Sequence, residues 1–168
     1  MTIEEIKVVS FPQDRKLIAD SLLIRKLVFV EEQNFSNDDD DGSDARAVHY
    51  TLYRDGKPVA TVRLIKEEAC IILARMAVMK EHRGQGYGRY LVIAAMSDAQ
   101  RRGWEAIQLS AQVHAKGFYE SFGFSAASDV YIHENIPHVL MRKAISNDVY
   151  RYTDKGVPFV EMRKAIAN

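Results

Sequence analysis

Arg83-Gly84-Gln85-Gly86-Tyr87-Gly88 stands between two segments of different periodicity. Ahead of it runs Cys70-Ile71-Ile72-Leu73-Ala74-Arg75-Met76-Ala77-Val78-Met79, apolar and strand-like. Behind it Gly88, Leu91, Val92, Ala95 and Ala99 fall on one helical face. A strand that feeds a glycine turn into a helix aims several unpaired backbone N–H groups at one point. Those donors and the helix-terminal partial charge make an anion site, and the glycines let a pyrophosphate approach the backbone. Arg83 is expected to add a cation at the rim. The loop is neither of the common phosphate binders. A P-loop requires Lys and Ser or Thr after its last glycine, where this chain has Arg89-Tyr90, and the dinucleotide fingerprint requires a glycine where Arg89 stands.

The elements that must hold this loop can be read in order. Residues 3–9 are a strand, and Ser10 to Gln13 reads as a capping box with Pro12 in the first helical turn. The helix that follows places Ile18, Leu22, Arg25 and Phe29 on one stripe and ends near Val30. Arg25 on that apolar stripe either snorkels or meets the acidic loop of residues 31–46, with Asp41 and Asp44 as partners. Strands over 47–54 and 58–65 are joined by Asp55-Gly56, a strong hairpin signal. The strand at 71–78 and the glycine-loop helix come next, the helix stopping at Gly103 with Arg101 and Arg102 in its last turn. A strand over 104–110, a short helix over 116–122 and strands near 130–133 and 138–144 complete the series. Hairpin strands followed by a strand–helix–strand unit predict an α/β (α+β) domain, a mixed sheet with helices packed against it, which the resemblance given below makes mostly antiparallel.

The 168 residues suit one domain with a substantial core. Equal numbers of basic and acidic residues give zero formal charge, which argues against a nucleic-acid partner. The lone Cys70 excludes an intrachain disulfide and fits a reducing compartment; its apolar neighbours predict a buried, inert thiol. The N-terminal residues have no signal-peptide pattern, and no apolar run is long enough to span a bilayer. The chain therefore reads as cytoplasmic, with no membrane partner. The run Asn37 to Asp41 followed by Gly42 invites a calcium reading, but counting twelve positions from Asn37 reaches Val48, where a bidentate Glu is required. No metal is expected.

Arg-x-x-Gly-x-Gly between a strand and a helix resembles the acetyl-CoA pyrophosphate loop of the GNAT N-acetyltransferases. Two further segments carry the same resemblance. His114-Ala-Lys-Gly-Phe118-Tyr119-Glu-Ser-Phe-Gly123-Phe124 looks like the second GNAT signature, an aromatic pair that opens a helix ending in Gly-Phe. Arg25-Lys-Leu-Val-Phe29-Val-Glu-Glu32-Gln33, with Asp41, Asp44 and His49 beyond it, is similar to the ElaA/YjcF-like subfamily, as are Ile136-Pro137-His138 and Met141-Arg142-Lys143. The resemblance runs from about residue 25 to 144.

It implies a GNAT fold with acetyl-CoA in a cleft where two strands splay apart. Met76, Ala77 and Val78 would meet the pantetheine arm. Gly84, Gln85, Gly86, Tyr87, Gly88 and Arg89 would present backbone N–H groups to the pyrophosphate beside Arg83. Gln112 and Phe118 complete the cofactor-binding set. Tyr119 resembles the general acid, since a phenol is protonated at neutral pH and can donate to a departing thiolate. An alkylammonium must first lose a proton, and the base is open: Glu32 and His138 are carried as catalytic candidates, with His49, Gln112 through a water, and Glu134 as others. The implied partner is a small-molecule or peptide amine. Two other functions share features with the chain. Acyl-homoserine lactone synthases resemble it at Arg25, Phe29 and Asp39-x-Asp41-x-x-Asp44 but lack the intact glycine loop, and a CoA-binding module without chemistry would keep the loop alone.

The resemblance implies an acetyltransferase domain over residues 1–145, with 146–168 as an extension. Its Pro158-Phe-Val-Glu-Met-Arg-Lys-Ala-Ile-Ala-Asn168 repeats Pro137 to Asn147, the terminal strand. A second copy of a strand must pair with something or expose an edge, so a homodimer is one expectation.

Overall fold

The computed structural model describes residues 4–10, 13–35, 42–68 and 70–145. The expectations for Pro12, for the acidic run through Asp41 and for the duplicated extension lie outside these residues. Among the described residues eight strands build one sheet: β1 (Glu4–Ser10), β2 (Val48–Arg54), β3 (Lys57–Glu67), β4 (Cys70–Val78), β5 (Ala106–Gln112), β6 (Ser125–Ala126), β7 (Tyr131–His133) and β8 (Ile136–Ala144). Their order is β1-β2-β3-β4-β5-β8-β6, with β7 also on β8. Every pairing is antiparallel except β4 with β5. This is the mixed, mostly antiparallel sheet expected. The two-residue strand β6 gave no sequence signal.

Helices α1 (Arg15–Arg25) and α2 (Tyr87–Arg101) cover opposite faces, and α3 (Lys116–Glu120) follows β5. Side chains alternate along a strand. Tyr50 of β2 donates its hydroxyl to Asp98 of α2, whereas Thr61, cross-strand partner of Thr51, bonds Ser21 of α1 at 2.6 Å. The core is centred on α2, where Leu91, Val92, Ala95, Met96 and Ala99 are fully buried. Gly103 ends that helix at φ 70° with a Schellman pair: its N–H reaches the Gln100 carbonyl, and the Trp104 N–H reaches that of Ala99. The Asp55-Gly56 hairpin takes positive φ at both residues, as its two-residue loop demands.

Three expectations about α1 and its surroundings are corrected. Asp14, not the Ser10–Gln13 segment, caps α1, accepting from the Lys16 and Leu17 N–H groups at 3.0 and 3.1 Å. The helix does not stop near Val30 but widens into a π-helical turn over Lys26–Glu32. Its buried stripe runs through Ile18, Ser21, Ile24, Arg25 and Val28, while Leu22 is exposed. Ser21 is buried because Thr61 satisfies its hydroxyl, a contact that apolar spacing cannot show. Cys70 is half-buried rather than enclosed, with its sulfur 3.9 Å from an Arg142 nitrogen.

Candidate active site

Strands β4 and β5 pair only from Cys70–Ala106 to Leu73–Leu109, although β4 continues to Val78 and β5 to Gln112. On its other edge β4 carries an extra residue at the same level. Thr61 opposes Ala77 and Arg63 opposes Ala74, so Val62 faces two residues, and Arg75 takes φ 56°. Such a bulge bends its strand and increases local twist. The two strands part beyond it and leave a cleft of about 700 Å³.

One end of the cleft is built by the glycine loop. Between β4 and α2 a single 3-10 turn, Lys80–His82, precedes it, so the strand does not feed the glycines directly. Gly84 and Gly86 adopt φ 76° and 85°, and a Cβ at either would meet no protein atom. Gly86 is the cap residue of α2 and has no side chain to close the helix end, so the first N–H groups of α2 are open to a ligand. Gly88 is small for another reason: a Cβ there would sit 3.3 Å from the Phe118 ring. Gly84, Gly86, Tyr87, Gly88 and Arg89 line the cleft, as do Met76, Ala77 and Val78. Gln85 does not; its side-chain oxygen turns away to accept from Arg54 at 2.7 Å. The Tyr87 ring is buried, with its hydroxyl on Glu4 at 3.0 Å, so what it offers the cleft is backbone.

Arg83 lies on the cleft lining, and its charge there is paired. Its Nε donates to the Val78 carbonyl at 3.0 Å, and its two terminal nitrogens donate to Glu32 at 2.6 and 2.8 Å. Glu32 is correspondingly ill placed for a base. It is absent from the cleft lining, and the Arg83 hydrogen bonds hold its carboxyl below the ordinary range.

The reacting side chains expected from the sequence come together further in. Tyr119 lines the cleft from α3, its ring held edge-on between Phe118 (5.0 Å) and Phe124 (6.0 Å). Burial pushes its phenol well above the ordinary tyrosine value, so it stays protonated. His138 of β8 also lines the cleft and is largely buried. Its Nδ1 lies 2.7 Å from the Ile136 carbonyl, which only accepts, so a proton sits on Nδ1 and Nε2 is the nitrogen left for other partners. Gln112 donates to Gln33 at 2.9 Å and accepts from His114 at 2.6 Å, which links the end of β5 to the π-turn. His49 is buried on β2 away from the cleft lining, bonded to the Asp44 carbonyl oxygen at 3.1 Å.

Arg25 meets the acidic loop. It donates to both carboxylate oxygens of Asp44 at 2.8 and 3.3 Å, and Arg63 donates to the same group at 2.9 Å. Burial alone would raise the Asp44 carboxyl, but these bonds and charges bring it below its ordinary value. Asp41 lies outside the described residues. Because Arg25 immediately precedes the π-turn, this cluster anchors the wall that carries Phe29 and Gln33.

Sequence reasoning missed that wall's extent. Phe35 lies 5.8 Å from Phe29 and 6.3 Å from His133, and His133 lies 5.5 Å from His138, centroid to centroid. All four rings line the cleft. His82 lines it as well, 6.4 Å from the Tyr87 ring. No periodicity marks rings drawn from three separate segments. Among the described residues no group of three or more His, Cys, Asp or Glu is arranged to hold a metal, and no helix is long and apolar enough to cross a membrane.

A glycine-capped helix end and a splayed parallel pair open on one cleft, and comparison gives this arrangement a family. The profile of the acetyltransferase (GNAT) domain matches residues 28–145. ElaA of Escherichia coli K12 is 30% identical over 131 residues, covering 74% of this chain and 85% of ElaA. YjcF of Bacillus subtilis 168, named an N-acetyltransferase, is 29% identical over 133 residues, 78% of this chain and 95% of YjcF. The E. coli ElaA crystal structure superposes with a TM-score of 0.78 at 26% identity, over 84% of this chain and 99% of ElaA's. An acyl-CoA N-acyltransferase structure from Pseudomonas aeruginosa gives 0.77 at 29%, over 84% and 100%. The chain belongs to the GNAT acetyltransferase family, and its class of activity is acyl transfer.

Proposed function

We propose that the protein moves the acetyl group of acetyl-CoA directly to a primary amine. The observation that carries this reading is one continuous cleft with open helix N–H groups at one end and Tyr119 and His138 in its lining. The pyrophosphate would lie on the α2 terminus and the pantetheine arm along Met76, Ala77 and Val78, with Gln112 and Phe118 flanking it. His138 Nε2 takes a proton from the incoming ammonium. The free amine attacks the thioester carbonyl, and the tetrahedral intermediate collapses with rupture of the C–S bond. The thiolate takes its proton from the Tyr119 hydroxyl, the surplus proton of the new amide nitrogen restores the phenol, and the His138 imidazolium returns its proton to solvent. Glu32, through Arg83, positions the loop in this scheme.

The test is acetyl-CoA calorimetry combined with thiol release in the presence of amines. Gly86→Val forces a β-branched side chain into φ 85° and should lose acetyl-CoA binding, whereas Gly86→Asn, which tolerates that conformation, should keep most of it. Equal affinity in folded Gly86→Val protein overturns the donor assignment. Binding without thiol release from any amine points to a module without chemistry, and preference for a long acyl-CoA with homoserine lactone formation points to the synthase-like reading. Residues 1–145 contain every group used here, so truncation after Asn147 should leave acetyl-CoA binding intact. Whether the extension supports a homodimer is read from the mass of the truncated protein in solution.

A further inference from the structure

We infer, on the reading of His138 as the base, that Tyr131 is its positioning residue and holds the imidazole in its reactive orientation from outside the cleft. Register brings the two together. Tyr131 of β7 is the cross-strand partner of His138 on β8, and Gln112 of β5 is its partner on the other side. Directly opposed residues share a face of the sheet, so the imidazole stands in a row between a phenol and an amide. The Tyr131 ring lies 6.0 Å from the imidazole, centroid to centroid, and only 23° from parallel. His133 meets the same imidazole edge-on at 5.5 Å.

Tyr131 is itself anchored. Its hydroxyl shares a hydrogen bond with that of Ser110 on β5. Ser110 opposes Leu140, two residues beyond His138, so this bond crosses β8 on the diagonal and ties the edge strand to the strand that lines the cleft. One hydrogen bond from Nδ1 to the Ile136 carbonyl leaves the imidazole free to tilt about it, and a fixed ring against its face removes that freedom. The same ring face attracts the imidazolium that forms when His138 takes the substrate's proton. Packing does not account for Tyr131. It is 39% exposed, on a three-residue strand that is exposed throughout, and it does not line the cleft. The His138 beside it is 6% exposed. A ring this open adds little to the core; what it covers is the imidazole.

The experiment reads the His138 tautomer in a long-range proton–nitrogen correlation spectrum, with its signals assigned by their loss in His138→Gln. The neutral wild-type ring should show the Nδ1–H form alone. Tyr131→Leu should show both tautomers averaged, with acetyl-CoA affinity unchanged and a melting temperature within about 2 °C of wild type, as for a surface substitution. Turnover is followed as thiol release from acetyl-CoA with phenethylamine, spermidine and a lysine-containing peptide. Tyr131→Leu should lower kcat about tenfold with KM held, and should have no further effect in the His138→Gln background. Tyr131→Phe keeps the ring and should recover most of the loss. A single tautomer or an unchanged kcat in Tyr131→Leu, or an equal loss in both backgrounds, overturns the inference and leaves His138 as the base. Wild-type turnover in His138→Gln, or no turnover of any amine, overturns the base reading and this inference with it.

Discussion

Both carboxylate oxygens of Glu32 rest on the guanidinium of Arg83, so one bidentate ion pair ties the aromatic wall to the glycine loop. Because Arg83 Nε is also fixed to the Val78 carbonyl, the pair spans β4, the loop and the π-turn. Glu32→Gln should leave kcat within about tenfold of wild type, raise the amine KM, and tighten acetyl-CoA a few-fold as the guanidinium charge is released toward the pyrophosphate. A fall in kcat of about 10²–10⁴-fold with normal KM would make Glu32 the base instead.

Tyr119→Phe is expected to lower kcat by about 10- to 10⁴-fold with acetyl-CoA affinity near normal, the cost of losing a positioned proton donor. Since burial raises the phenol's pKa, Tyr119 should contribute no falling limb below pH 9 in the wild-type rate profile. Wild-type turnover in the variant would leave Tyr119 as a packing residue between Phe118 and Phe124.

His138→Gln removes Nε2 as acceptor and should reduce kcat/KM about 10²–10⁴-fold at pH 7. The loss should shrink as pH rises toward the amine's own value near ~10, where solvent deprotonates the substrate unaided. A pH-independent deficit would mean that His138 only shapes the wall.

Acid should destabilise the fold in two stages. Burial holds the His49 imidazole below its ordinary value, whereas an unfolded histidine titrates near ~6.5. As pH falls through that value the unfolded chain gains a proton that the folded chain refuses, so stability is full above it and declines below. Asp44 acts later: its depressed carboxyl stabilises the fold above about pH 4 and is lost as pH falls through its lower folded value. Melting temperature should therefore drop between pH 7.5 and 5.5, and His49→Gln, whose amide can still reach the Asp44 carbonyl, should flatten that stage. The same slope in the variant would assign it elsewhere.

How far the sequence reached depends on whether a signal is local. The glycine loop, the α2 face and the Asp55-Gly56 turn depend on neighbours a few positions apart, and each was readable. Arg25 was half readable: a guanidinium on an apolar stripe needs a counter-charge, and Asp44 nearby supplies it. Glu32 and Arg83 lie 51 positions apart, and each looks like an ordinary surface charge until the chain folds. Asp14 caps α1 where Ser10 to Gln13 was expected to, because Asp and Ser both cap helices well and nothing local ranks one above the other. The row from Phe29 to His138 has no period because three elements contribute to it.

The bulge in β4 makes the opening of the cleft a matter of counting. Arg75 occupies a conformation that glycine or asparagine adopts more easily, so its side chain is replaceable as far as the backbone is concerned. Its place in the chain is not. Deleting one residue there would shift Met76, Ala77 and Val78 by one step of a two-residue repeat and turn each to the opposite face of the sheet. In this chain the letter at position 75 can change to glycine or asparagine without backbone cost, whereas its removal would rebuild the wall of the cleft.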